Sequence, residues 1–193
     1  MVLVSGCAAW LKPTLEQSLV AIDRGEYQLD AAHATLLFKV DHMGFSTFVG
    51  RFNHFDAQLN FDPDTPTRSS LEATVDMTSV DVNNAKFEKA LNGSFWLNTK
   101  QFPQAYFKTE SAQEIAPQHL RFKGNLTFLG TTKAIYVDVH VKGAADNLLT
   151  GRYTLGFSAS ATFKRSDFGL STFIPTVGDD IELEIHAEFQ HQD

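Results

Sequence analysis

From residue 34 onward, apolar and polar positions alternate with a period of two. In ATLLFKVDHM, Leu36, Phe38, Val40 and His42 share one face, while Thr35, Lys39 and Asp41 take the other. The next run is STFVGRF followed by FDAQLNF. Its parity shifts from Phe48, Gly50 and Phe52 to Phe55, Ala57, Leu59 and Phe61, so a bulge is expected at Asn53 and His54. The alternation returns in LEATVDM, AYFKT, LRFKGNLTF, AIYVDVHVK, YTLGFSASATF and IELEIHAEF, with charged residues in the opposite phase. This predicts about eight strands. Turn chemistry such as Asp62-Pro63-Asp64, Leu129-Gly130-Thr131 and Val177-Gly178-Asp179 joins them over spans short enough for antiparallel neighbours.

Two stretches break the period. Trp10 to Gly25 reads as a short helix: Thr14 and Gln17 form a capping box, Leu15, Leu19 and Ile22 share a face, and Gly25 supplies the stop. NNAKFEKALNG reads as a second helix, capped by Asn83 or Asn84, ending near Gly93 and lying over one end of the sheet. Eight one-sided antiparallel strands must hide their apolar face. Closure into a barrel does so and removes exposed edges; a two-sheet sandwich is the competing solution.

Composition sharpens the question of the interior. Of the 17 Phe, positions 38, 48, 52, 55, 61, 107, 122, 128, 157, 163 and 189 fall on the inward phase, beside Gly50, Ala57, Ala73, Gly124, Ala159, Ala161 and Ala187. Large rings next to small residues either interdigitate into a solid core or line a slot, and the pattern does not separate the two. A net charge of −7 argues against a nucleic-acid partner, which would need a basic stripe to displace counterions from phosphates.

Candidate chemistry is sparse. Of seven His only His42 falls inward, at a strand end where it could meet a ligand head group or a backbone carbonyl, and no pair has metal-ligand spacing. No nucleophile elbow, phosphate loop, dinucleotide fingerprint or zinc pattern is present, so neither an enzyme, a cofactor nor a metal site is expected. TFKRSDFGL is denser. Lys164, Arg165, Ser166 and Asp167 crowd one strand end, either as an Arg165 to Asp167 pair fixing a turn or as head-group contacts.

Together, YQLDAAHATLLFKVDHMGFSTFVGRF, SVDVNN, FWLNTKQFPQAYF, LTFLGTTKAIYVDV and ATFKRSDFG…VGDDIELEI resemble the YceI-like family of polyisoprenoid-binding proteins over residues 27–189. The resemblance implies an all-β fold: an antiparallel, eight-stranded, lipocalin-like barrel with short helices at the N-terminus and between strands 3 and 4. It also implies a periplasmic, often dimeric protein whose pore holds an isoprenoid or other long-chain amphiphile, which favours the slot over the solid core. Where the family tends to carry an Arg-Asp-x-His-Leu-Arg-Ser stretch, this chain has Phe87-Glu88-Lys89-Ala90-Leu91-Asn92-Gly93. The loss of two cations and a histidine suits a neutral or weakly polar head, such as a quinone, phenol, fatty acid or amide, rather than a pyrophosphate.

Val4-Ser5-Gly6-Cys7 fits the bacterial lipobox, which makes Cys7 a candidate for lipidation and residues 1–26 a tether leading to a barrel at 27–193. The sequence therefore points to a periplasmic, lipid-anchored homodimer that carries an isoprenoid, quinone-like or fatty-acyl lipid. Its expected ligand contacts are Phe38, Val40, His42, Phe48, Phe52, Phe107, Phe122, Leu126, Phe157, Ala159 and Phe163, with Arg165 and Asp167 at the mouth. The rival readings are an enzyme or redox partner acting on a bound quinone or lipid, and a ligand-free barrel that binds a protein.

Overall fold

The computed structural model describes residues 12–192. Cys7 and Trp10 lie outside them. Ten strand segments form one antiparallel sheet that closes on itself: β1 (Gly25–His42), β2 (Ser46–Phe52), β3 (Phe55–Phe61), β4 (Ser70–Asp76), β5 (Val80–Asp81), β6 (Gln104–Ala116), β7 (His119–Phe128), β8 (Thr131–Asn147), β9 (Arg152–Lys164) and β10 (Asp180–His191). They occupy eight positions of a barrel, because β2 and β3 pair in turn with the upper and lower parts of β1, while β4 pairs with β3 and β5 with β2. Pairing of β1 with β10 completes the ring, with Leu36 opposite Ile185 and Phe38 opposite Leu183. Every strand but the two-residue β5 thus has a paired neighbour on both sides, and the sandwich alternative is set aside.

The expected break at Asn53 and His54 is where β2 passes into β3. Asn53 N there donates to Ser79 O instead of the β1 ladder, which lets one strand position bend. Elsewhere the period-two pattern sets the interior directly. In β7, Leu120, Phe122, Gly124, Leu126 and Phe128 are buried in strict alternation. Gly124 is required by a close approach: a Cβ there would meet Phe107 Cζ at 2.5 Å and Lys108 O at 2.6 Å, so the Phe107 ring lies in the space the glycine leaves.

The sequence pattern fails before β1. Residues 12–24 do not form the capped helix expected from Thr14 and Gln17. They run extended along the barrel, with a single 3-10 turn at Leu19–Ala21. Glu16 exchanges backbone hydrogen bonds with Ala144 at 2.8 and 2.9 Å, and Gly143 admits it, since a Cβ there would sit 2.7 Å from Glu16 O. Leu19 and Ile22 are buried in the core, and Tyr27 Oη donates to Asp23 O at 2.6 Å. The apolar spacing read as helical thus serves a strap whose backbone groups are satisfied by the barrel, and from residue 12 onward the tether is part of the fold.

The second helix forms where expected. α1 spans Ala85–Leu91, and the Asn84 side chain caps it by accepting from Phe87 N at 3.1 Å. It sits in the connection from β5 to β6, at the same end of the barrel as the β1–β2 turn and the β9–β10 loop.

Candidate functional site

Halfway along its axis the interior changes character. The end near the β8–β9 turn is packed solid: Leu59, Phe61, Leu71, Leu120, Phe122, Val139, Val141, Leu155 and Phe157 leave a void of only about 20 Å³. Phe157 and Phe189 rings lie 4.8 Å apart there. The other end holds a cavity of about 370 Å³, within the range of small-molecule sites. Its walls are Leu36, Phe38 and Val40 of β1, Phe48 and Phe52 of β2, Val75, Met77, Val80, Ala105, Leu126, Phe128, Phe163, Ile181 and Leu183. Its cover is α1 and the segment after it, through Phe87, Leu91, Trp96 and Leu97, together with Leu170, Phe173 and Val177 from the β9–β10 loop. The cavity meets the surface beside His42 and Phe173, both exposed.

The wall and cover are joined by aromatic packing. Phe38 lies 5.5 Å from Phe52, Phe48 meets Phe87 edge-on at 5.9 Å, Phe87 meets Trp96 at 6.3 Å, and Trp96 meets Phe173 at 5.9 Å. Gly50 makes room for this arrangement, since a Cβ there would meet Phe38 Cζ at 2.3 Å.

Among the described residues, the polar groups lining the cavity are His42, Arg165 and the indole of Trp96. Arg165 is 2% exposed. Its Nε donates to Gly178 O at 2.7 Å, Nη1 to Leu170 O at 3.1 Å and Nη2 to Val177 O at 2.9 Å. Burial pushes its pKa down, partly offset by the Asp179 charge. The guanidinium is thus the staple of the β9–β10 loop, with three of its five donors committed to carbonyls of the cover. The turn-fixing pair expected with Asp167 does not form: Asp167 is exposed and away from the cavity, because the 3-10 turn Arg165–Phe168 turns it outward. Asp179 acts in its place, accepting from Ser166 N at 2.9 Å and Ser166 Oγ at 2.8 Å. His42 pairs through its backbone with Val177, and its imidazole makes no hydrogen bond among the described residues.

Of the side chains expected from sequence, Phe38, Val40, His42, Phe48, Phe52, Leu126, Phe163 and Arg165 line the cavity. Phe122 and Phe157 lie in the packed end, Phe107 fills the space over Gly124, and Ala159 is buried between Val139 and Ile185 of the adjoining strands. Parity reports which way a residue points but not its height along the axis. Sequence reasoning named Phe87 only in the head-group argument and missed the rest of the cover, Leu91, Trp96, Leu97, Leu170, Phe173 and Val177, with Val80 of the wall. The one legible sign of them was the absence of charge on the inner face of a short helix, at Phe87 and Leu91.

A closed antiparallel barrel with a capped apolar cavity at one end defines a lipocalin-like barrel. The chain belongs to the YceI-like domain family, whose family model matches residues 27–189. It is 35% identical over 171 residues to a UPF0312 protein of Shewanella oneidensis, covering 88% of this chain and 89% of that one. Among solved structures, the Campylobacter jejuni YCEI protein superposes with a TM-score of 0.70 at 29% identity, over 79% of this chain and 90% of its own. Burkholderia cenocepacia BcnA matches in fold with a TM-score of 0.75 at 24% identity, over 83% of this chain and 98% of its own. A polyisoprenoid binding domain from Saccharophagus degradans shares the fold at 13% identity and a TM-score of 0.66, over 86% of this chain and 98% of its own.

Proposed function

We propose that this protein binds a long-chain lipid of the isoprenoid, quinone-like or fatty-acyl type, with the tail in the apolar cavity and a weakly polar head beside His42. The carrying observation is the cavity itself, about 370 Å³ of space walled by aromatic and aliphatic side chains in a barrel whose other half is close-packed. Each buried methylene contributes about 0.8 kcal/mol. A tail of about ten carbons therefore supplies roughly 8 kcal/mol gross, before ordering and association costs. Membership of the YceI-like family and the fold shared with a polyisoprenoid binding domain support the same reading.

The electrostatics of the site argue for the head group. Three of the five Arg165 N–H donors are on carbonyls, and Phe87 and Leu91 face the cavity from α1, so an anionic phosphate inside would meet no lining cation other than one already tied to the cover. Mass spectrometry of lipid extracted from purified protein tests this. A quinone, phenol, fatty acid or amide carrying a long chain is the expected species; a dominant diphosphate rejects the neutral head, and protein free of lipid that also takes up none from added quinone rejects the carrier. In the same proposal the protein works in the periplasm as a homodimer, anchored through a lipidated Cys7, on the strength of the Val4-Ser5-Gly6-Cys7 lipobox and the family resemblance. Intact-mass analysis of protein expressed from an extended reading frame checks the anchor.

A further inference from the structure

The cavity mouth carries an apolar rim that the ligand site does not use. In the β1–β2 turn Met43 and Phe45 are 51% and 84% exposed, and after α1 Phe95 is 63% exposed, meeting Phe173 of the facing loop edge-on at 5.8 Å. None of Met43, Phe45 and Phe95 lines the cavity. Thr172 Oγ1 donates to Phe95 O at 2.9 Å, so two of these projecting rings are held together rather than loose. The rim is continuous with the cavity through Phe173 and Trp96, which gives an oily chain an apolar path from outside to inside.

Beside the rim lies a local reversal of charge. The chain carries a net −7, yet residues 83–103 hold Lys86, Lys89 and Lys100 against one carboxylate, Glu88. Glu88 Oε1 is engaged by Val82 N and Asn84 N, and none of the three lysines forms an ion pair among the described residues. Phe87 and Leu91 turn inward on α1, so Lys89, half a turn from Phe87, stands on the outer face of the cover. Among the other carboxylates at this end, Asp41 accepts from Gly44 N, Asp179 from Ser166 and Asp180 from Lys164, while Asp167 is exposed and forms no ion pair among the described residues. Exposed aromatics at the mouth, with unpaired lysines on α1 and the segment after it, match the boundary between acyl chains and anionic head groups.

We infer that this end of the barrel docks on an anionic lipid bilayer, Phe45 and Phe95 entering the surface and Lys86, Lys89 and Lys100 meeting the head groups, so that lipid passes between membrane and cavity. The inference rests on the carrier reading and adds the surface from which cargo comes. Sedimentation with vesicles tests it. The full chain is expected to bind phosphatidylcholine vesicles containing phosphatidylglycerol, and to bind phosphatidylcholine alone more weakly. Lys86→Gln with Lys89→Gln should weaken binding to the anionic vesicles about 30-fold, and 1 M salt should erase the preference for them. Phe45→Ser should weaken binding to both kinds about tenfold, and Phe45→Ser with Phe95→Ser further. Phe45→Ser alone keeps the test sound if the Phe95 change disturbs Phe173.

Uptake of quinone presented in detergent solution, measured on the same preparations, should stay at the unsubstituted level, because none of the substituted residues lines the cavity. Protein that carries lipid but ignores anionic vesicles overturns the docking, as does a Phe45→Ser variant that sediments unchanged. A rim variant that falls from dimer to monomer while keeping its vesicle binding also overturns it, since the rim would then join two copies of the chain. Protein that sediments yet never holds lipid supports the docking and rejects the cavity reading.

Discussion

At Arg165 the physical role follows from hydrogen-bond arithmetic. The guanidinium offers five N–H donors in a fixed fork, and three carbonyls of the β9–β10 loop take three of them in a buried place. Arg165→Met should leave those carbonyls unpaired and cost about 3–5 kcal/mol, read as a lower urea midpoint with unchanged slope; Arg165→Lys, whose compact ammonium cannot span all three, should fall between. Glu184 is a contrasting, half-buried case. Hydrogen bonds from Lys39 and then His186 hold its carboxyl down to about 2. A folded pKa below the unfolded one stabilises fully above the ordinary value of 4.5, and that contribution is lost as pH falls towards 2. The gap in stability between the wild type and Glu184→Gln should therefore close over that window in urea unfolding followed from neutral pH downwards. Neither partnership was legible in the sequence. Arg165 stood beside Asp167 in the chain, while its true acceptors lie at residues 170, 177 and 178, brought round by the loop.

At the scale of elements, the strands were legible because period two is a local property of the chain and because each strand has one buried face. The helix α1 was legible for a similar reason, since Asn84 and the Phe87 and Leu91 spacing act within a single turn or two. Residues 12–24 were misread because Leu15, Leu19 and Ile22 recur at helical spacing, yet the groove beside Gly143 and Ala144 offers paired backbone groups that a helix would leave unused. Tertiary pairing overrides local propensity there. If the strap is part of the fold, Ile22→Ala should cost about 2–5 kcal/mol in urea or thermal unfolding, as for a core residue; a passive tether would show almost no change.

For the whole molecule, the decisive feature is an interior divided along its axis, solid at one end and vacant at the other. The two halves should respond oppositely to added bulk. Ala105→Phe places a ring in the vacant half and should displace copurified lipid with little loss of stability. Ala159→Phe forces a ring between Val139 and Ile185 in the packed half and should cost about 1–3 kcal/mol. Loss of lipid in both variants, or in neither, by mass spectrometry of protein first shown to fold would argue against the division. The sequence by itself determined the strand set, the inward faces, the aromatic character of the interior and the YceI-like resemblance, because alternation and turn chemistry act between near neighbours. Only the tertiary structure decided that the inward rings close the bore at one end and leave it open at the other. Height along a barrel axis depends on the register of strands paired across more than a hundred residues, as β1 pairs with β10, and that information is shared among strands rather than held by any one of them.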